Sequence, residues 1–349
     1  MGDRPLGIAV IGAGRAGMVH AVNFSRNVPG ARLAAIVDPL PSAREAAMGQ
    51  LGTCKAYADY NEALEDDSVD AVVVVVPTAF HREVVVAAAA AGKHILCEKP
   101  MAMSEPECVD MIEAASAAGV KLQLGFVRRF DAGYRRAKGI VESGAIGDVV
   151  MVRSNTRGPS VPQPWMYDLE KSNGPLAEVC SHDIDTLRWF TGSEFETVYA
   201  VGGNFRCPGA RAEWPDFYDN VIVSATFENG MQGAIDGAQG VGYAYDARTE
   251  VLGTKGCVFI GGLKDESVVT CNVDGNKGNN GNSGSYPLVK SWRQLFEPAY
   301  LAEDISFVEC IRDGGEPEAT GHDGLMAVKV VNAGNASIKE KRVVEVYWA

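Results

Sequence analysis

The feature that most constrains this chain is its beginning, where an apolar run, Leu6–Ile11, opens into Gly12-Ala13-Gly14-Arg15-Ala16-Gly17. The glycines are spaced G-x-G-x-x-G. Alone that spacing is a weak signal. Here it follows a strand-like run and opens a helix-like one, and Asp38 ends the next strand-like run about 20 residues past the third glycine. Each part has a physical job. Gly12 permits a tight turn, Gly14 lets backbone approach a pyrophosphate, and Gly17 lets helix and strand pack closely. The helix start, with Arg15 and Ala16, offers N–H groups and positive potential to phosphates. Asp38 can accept hydrogen bonds from both adenosine ribose hydroxyls. Its charge repels a 2′-phosphate, and Pro39 and Leu40 supply no cation to offset it. The expected cofactor is therefore NAD and not NADP.

The stretch 1–125 continues the alternation. β-branched runs at Leu6–Ile11, Leu33–Val37, Ala71–Val76, His94–Cys97 and Leu122–Phe126 are separated by helix-like segments. Val72–Val76 is continuously apolar, as expected of a strand buried on both faces. Ser42 with Glu45, and Ser104 with Glu107, have capping-box spacing, and Gly52, Gly92 and Gly119 fall where helices should stop. Val84–Ala91 is a strong helix former. This pattern predicts an α/β, doubly wound parallel sheet of Rossmann type.

Past residue 126 the pattern changes. A helix at Tyr134–Ser143 leads to a strand at Val149–Asn155, a Pro-rich loop at Gly158–Trp165 and a helix from His182 to Gly192. Val221–Phe227 and Met231–Asp236 flank a hairpin turn, Glu228-Asn229-Gly230. Gly253–Gly262 reads as a strand, Asp274–Ser285 as a Gly/Asn-rich loop, Ala302–Arg312 and Leu325–Ile338 as helices, and Val343–Tyr347 as a last strand. Residues 126–349 are thus expected to form an α+β domain with a largely antiparallel open sheet, beside a nucleotide-binding domain over 1–125.

The chain is 46% hydrophobic and 22% charged, enough for a packed core, and its net charge of -13 argues against binding nucleic acid or anionic membranes. Its eight cysteines are widely spaced, with no C-x-x-C, which predicts reduced thiols and no structural zinc. No apolar run reaches the ~18 residues of a membrane helix. Met1-Gly2-Asp3-Arg4-Pro5 does not read as a signal peptide. The expected location is the cytoplasm.

Gly92-Lys93-His94-Ile95-Leu96-Cys97-Glu98-Lys99-Pro100 is the second informative stretch. It ends a predicted strand at the sheet edge where open α/β sheets bind ligands, so Lys99 can point into the site. With Pro77-Thr78-Ala79-Phe80-His81, Gly125-Phe126-Val127-Arg128-Arg129-Phe130, Gly144-Ala145-Ile146-Gly147 and Glu178-x-x-x-His182-Asp183-x-Asp185, the chain resembles the Gfo/Idh/MocA family of sugar and cyclitol dehydrogenases. The resemblance implies that Lys99 reaches a substrate hydroxyl beside the nicotinamide and that Lys99-Pro100 is a candidate cis peptide. It also implies that Pro77, Thr78, His81 and Glu98 line the cofactor site. The exposed face of the second sheet would mediate a homo-oligomer, a dimer or tetramer. One departure matters: many cyclitol-oxidising members carry Asp-x-x-x-His where this chain has Glu178.

Oxidising a secondary alcohol requires loss of a hydride from carbon and a proton from oxygen. His182 is the candidate base. Glu178 lies four residues earlier, so on one helix the two would share a face, and the carboxylate would orient the ring. Lys99 would stabilise the developing alkoxide and exchange protons with it. Candidate substrate contacts are Arg128, Asn155, Asp183, and the aromatic rings of Trp165 and Tyr167, which suit sugar C–H faces. Arg128 and Arg129 are equally suited to a domain-hinge salt bridge. His20 and His94 are read as packing residues and His322 as a helix cap.

The expected function is NAD-dependent oxidation of a secondary hydroxyl on a cyclitol, sugar or glycoside. Two alternatives stand beside it: a glycoside-cleaving enzyme that recycles bound NAD through transient C3 oxidation and elimination, and a non-catalytic NAD sensor. The joint presence of Lys99, Glu178 and His182 argues against the sensor.

Overall fold

In the computed structural model, residues 4–52, 54–261 and 289–346 are described. The chain divides into two compact units. The first holds residues 1–131 and 296–328, the second 132–295 and 329–349. The helix Glu297–Asp313 and the start of the helix Gly321–Glu340 thus join the first unit, although they fall within the stretch expected to form the second domain.

The first unit is built on six parallel strands: β1 Leu6–Ile11, β2 Ala31–Val37, β3 Lys55–Tyr57, β4 Ala71–Val74, β5 His94–Cys97 and β6 Leu122–Leu124. Their order is β3-β2-β1-β4-β5-β6, which is the doubly wound Rossmann order. Five strands were legible as apolar runs. β3 was not, because its Lys-Ala-Tyr sequence is short, exposed and at the sheet edge. β1, β4 and most of β5 are buried, because helices cover both faces of a parallel sheet. The core of Ile8, Val10, Ile36, Val73 and Leu96 is joined by Phe24 and, from the returning helix, by Phe307 and Ile311. Burying each such side chain contributes about 1.5–3 kcal/mol relative to exposure.

The helix punctuation holds in part. Ser104 caps the helix Glu105–Ala118, and Glu107 accepts from the Met103 and Ser104 N–H groups. Gly119 ends that helix in the left-handed region, φ 67°. The box expected at Ser42 and Glu45 does not form: the helix Pro41–Leu51 starts two residues earlier than that box requires, with Pro41 in its first turn and Leu40 as N-cap. Proline fits that position because its missing N–H would have no partner there.

The second unit carries a mixed seven-stranded sheet in the order β12-β11-β7-β10-β9-β8-β13. Its strands are β7 Val149–Gly158, β8 Phe195–Gly203, β9 Asn220–Phe227, β10 Gln232–Gln239, β11 Asp246–Gly253, β12 Cys257–Ile260 and β13 Val344–Glu345. All pairs are antiparallel except β7 with β10. The hairpin at Glu228-Asn229-Gly230 forms as expected, with Gly230 at φ 83°. The strand expected over Gly253–Gly262 is instead the end of β11, a turn and β12; Gly253 pairs its N–H with Gly256 and ends the ladder. The expected Asp274–Ser285 loop lies outside the described residues.

Helices cover one face of this sheet. Leu187 stands over Gly233, and Cys180 over Gly237. Along β7, Val152, Ser154 and Thr156 face these helices and are buried, while Arg153, Asn155 and Arg157 face the other side. Among the described residues, no helix is long and apolar enough to cross a membrane.

Candidate functional site

The C-terminal ends of the parallel strands gather the sequence motifs of the first unit. After β1, Gly12 adopts φ 107°, and a Cβ there would lie 2.4 Å from the Val75 carbonyl oxygen. At Gly17 a Cβ would lie 1.9 Å from the Gly12 oxygen, so the helix Gly17–Arg26 packs directly on the loop. At Gly14 a Cβ would meet no atom within 4 Å. That open, exposed backbone is what a pyrophosphate requires, and the first N–H groups of the helix carry no side-chain cap. Arg15 is exposed and Ala16 half-buried at its N-cap.

Asp38 follows β2. One carboxylate oxygen accepts from Ala13 N–H at 2.9 Å and the other from Leu40 N–H at 2.9 Å. A carboxylate has about four lone-pair sites, so capacity remains for two ribose hydroxyls. The residues present therefore fit an NAD adenosine and pyrophosphate. Arg44 is the nearby cation the sequence did not reveal; it donates to the Asp38 carbonyl, six residues on and one helical turn inside the next helix.

After β4, Pro77 is exposed and Thr78 is buried. His81 is buried too. Its Nε2 faces the Val76 carbonyl at 2.8 Å and its Nδ1 the Pro100 carbonyl at 2.9 Å. Burial lowers its pKa against the opposing effect of those carbonyls, and the ring sits between the β4 loop and the turn after β5. That turn is Glu98-Lys99-Pro100, with a cis Lys99-Pro100 peptide. Glu98 is buried and accepts from the Lys99 N–H at 3.1 Å, while the Lys99 side chain is half-buried. Gly125, at the end of β6, is the residue that makes room for Glu98: a Cβ would sit 3.0 Å from its carboxylate.

Arg128 and Arg129 lie in the short turn Val127–Phe130 and both are buried. Arg129 pairs with Asp323 at 2.9 Å and donates to the Glu318 carbonyl at 2.7 Å. It is a structural ion pair within the first unit.

In the second unit, Glu178 and His182 do not share one helix as expected. Glu178 ends the helix Gly174–Glu178, and His182 is the second residue of Ser181–Thr191. The cause is local. The Pro175 carbonyl accepts from both Val179 and Cys180 N–H groups, at 2.9 and 3.1 Å, so the ladder slips by one residue and restarts with Ile184 N–H on the Cys180 carbonyl. The short helix is braced from behind. Asn335 donates to the Asn173 carbonyl at 2.9 Å, and Tyr218 donates to Asn335 while accepting from Leu176 N–H. His182 is 8% exposed and Glu178 half-buried.

The remaining candidates are dispersed. Asp183 is fully buried and accepts from Ser154 Oγ at 2.5 Å. Ser154 in turn meets Thr249, and Thr249 meets Tyr134. Through that oxygen Asp183 anchors its helix to the sheet. Asn155 stands on the opposite face of the sheet, because strand side chains alternate, and donates to Asp246. Tyr167 packs its ring 4.8 Å from Phe217 and 5.7 Å from Trp214, which is a packing role; Trp165 is exposed. On the face that holds Asn155, sequence reading missed a ladder of charges: Arg153 with Glu250, Arg157 with Asp236, and Asp246 with Arg248 and Tyr243. The strand alternation was its only signal.

The comparisons agree with this geometry. Residues 6–126 match the model of the oxidoreductase family with an NAD-binding Rossmann fold, and residues 134–259 match the GFO/IDH/MocA C-terminal domain. The chain is 35% identical to a myo-inositol 2-dehydrogenase of Thermotoga maritima over 97% of its own length and 98% of the relative's. It is 33% identical to a scyllo-inositol 2-dehydrogenase (NAD(+)) of Bacillus subtilis, covering 95% of this chain and 93% of that one. The structure is similar to scyllo-inositol dehydrogenase of Lactobacillus casei solved with bound NAD(H) and scyllo-inositol. The TM-score is 0.85 at 28% identity, over 98% of this chain and 99% of that one. A dinucleotide loop shaped for NAD, a lysine turn at the same sheet edge and two matching family models lead to one conclusion: the chain belongs to the GFO/IDH/MocA family of NAD-binding oxidoreductases.

Proposed function

We propose that this protein oxidises a ring hydroxyl of a cyclitol, with inositols as the substrate class. The observation that carries the reading is the Glu98-Lys99-Pro100 turn, which ends a strand two places from the one feeding the glycine loop, at the same edge of the sheet. The full-length similarity to inositol dehydrogenases supports it. NAD, when bound, supplies the hydride acceptor. Lys99 holds positive charge against the oxygen as it loses its proton. His182 takes the proton, and Glu178 orients the imidazole. Gly12, Gly14, Arg15, Ala16 and Asp38 hold the dinucleotide, with Pro77, Thr78 and His81 shaping its nicotinamide side.

The test is NADH formation from NAD with a panel of inositols, aldoses and glycosides. Release of NADH in step with an inosose supports the proposal. Cleavage of a chromogenic glycoside without added NAD would instead favour the NAD-recycling alternative.

The open sheet face is proposed as the contact with a second copy of the chain. Ile222 and Val201 lie opposite one another on β9 and β8 and are 59% and 56% exposed, and Phe259 on β12 is 73% exposed. The family resemblance supports self-association there.

A further inference from the structure

One buried cluster in the first unit has not been used by the reaction. His20 lies on the helix that starts at the glycine loop, Glu98 at the end of β5, and Glu303 and Asp304 on the returning helix Glu297–Asp313. His20, Glu303 and Asp304 are wholly inaccessible and Glu98 nearly so. The contacts form a chain. Asn23 donates to Asp304 at 2.8 Å, Asp304 lies 2.7 Å from His20 Nδ1, and His20 Nε2 lies 3.3 Å from Glu98 Oε1. The other Glu98 oxygen accepts from Lys99 N–H. Tyr300 closes the side, its ring edge-on to His20 at 5.4 Å. Glu303 points at this chain: a carboxylate oxygen, a His20 ring nitrogen and a Glu98 oxygen all lie within 4.8 Å of one another, and neither Glu303 oxygen has a hydrogen-bond partner.

We infer that His20, Glu303 and Asp304 are positioning residues that fix the Glu98 carboxylate, and through it the Lys99 backbone, relative to the cofactor helix. The inference rests on the proposed role of Lys99. Its physical logic is charge. Three carboxylates beside one imidazole, all out of water, cannot stay ionised together. Burial alone would lower the His20 pKa, but Asp304 and Glu98 outweigh it and raise it well above the ordinary value. Burial raises that of Asp304 against its bonds to His20 and Asn23, and burial reinforced by Glu98 raises that of Glu303 well above the ordinary value. His20 therefore bridges Asp304 and Glu98, and Glu303, with neither oxygen hydrogen-bonded, is the carboxyl pushed furthest toward its neutral form. Asp304 fixes one ring nitrogen, so the other can aim only at Glu98. Because His20 sits on the glycine-loop helix, movement of that helix is transmitted to the catalytic turn.

The test is hydrogen exchange by mass spectrometry on the full chain, alongside turnover and metal content. In His20→Ala the amides of Glu98, Lys99, Met101 and Ala102 should exchange ~10-fold faster or more, as the Glu98–Lys99 bond loosens, with protection elsewhere retained. Turnover should fall by a similar factor while the KM for NAD holds. Asp304→Asn should do the same more mildly, and serves if His20→Ala fails to fold. Glu303→Gln keeps the shape and neutrality of the acid and should restore what Glu303→Ala loses. Unchanged exchange at these amides in both His20→Ala and Asp304→Asn overturns the inference. So does a stoichiometric divalent metal in the wild-type protein that Glu303→Gln loses, which would make the cluster a metal site. Should the wild type form no NADH from any cyclitol, the functional proposal fails, and the exchange result still decides the positioning claim.

Discussion

At the residue scale, the site separates holding from reacting. Asp38 already accepts two backbone N–H bonds, so it braces the glycine loop, and the proposal gives it the ribose hydroxyls besides. Asp38→Ala should weaken NAD binding by ~10-fold or more, the worth of charge-assisted hydrogen bonds, and narrow the preference for NAD over NADP. Paired binding titrations check this; wild-type preference for NADP would contradict it. Lys99→Ala and His182→Ala should each lower turnover by ~10²-fold or more with NAD binding kept, since general acid–base groups act on the chemical step. Near-normal turnover in both would remove them from the mechanism. Glu178 is one methylene longer than an aspartate and ends its own short helix. Glu178→Asp should therefore keep more activity than Glu178→Ala, measured as kcat.

At the element scale, what was legible follows from local physics. The buried parallel strands announced themselves as continuous apolar runs, and the glycine loop by its context. What was illegible depends on tertiary placement. β3 is exposed and three residues long. The break between Glu178 and His182 comes from a shared carbonyl at Pro175, which helical spacing cannot show. Asn155 and Asp183 were one-residue questions of facing: alternation sends Asn155 to the open face and burial turns Asp183 into an anchor for Ser154. Of the buried partners of His20, Asp304 lies in Glu297–Asp313, 284 residues along the chain, and Glu98 is 78 residues away, so no local pattern links them. Gly17 tests the packing argument. Gly17→Ala puts a Cβ on the Gly12 carbonyl and should cost about 1–3 kcal/mol of stability together with NAD affinity, seen by denaturant titration and calorimetry. Unchanged stability and affinity would show that the helix–loop contact is loose.

At the scale of the whole molecule, the first unit is a nucleotide-binding scaffold completed by a segment from late in the chain, and the second is a sheet with one covered and one open face. The open face should hold a second copy, so Ile222→Lys should shift the species seen by light scattering to a smaller mass. The same mass for wild type and variant would place the contact elsewhere. Above both units stands the claim that a cyclitol hydroxyl is oxidised at the expense of NAD. The most direct measurement mixes the protein with NAD and myo- or scyllo-inositol and follows NADH absorbance together with the inosose formed. Equal amounts of both are expected, lost in Lys99→Ala. No NADH from any cyclitol, beside glycoside cleavage that needs no added NAD, would contradict it.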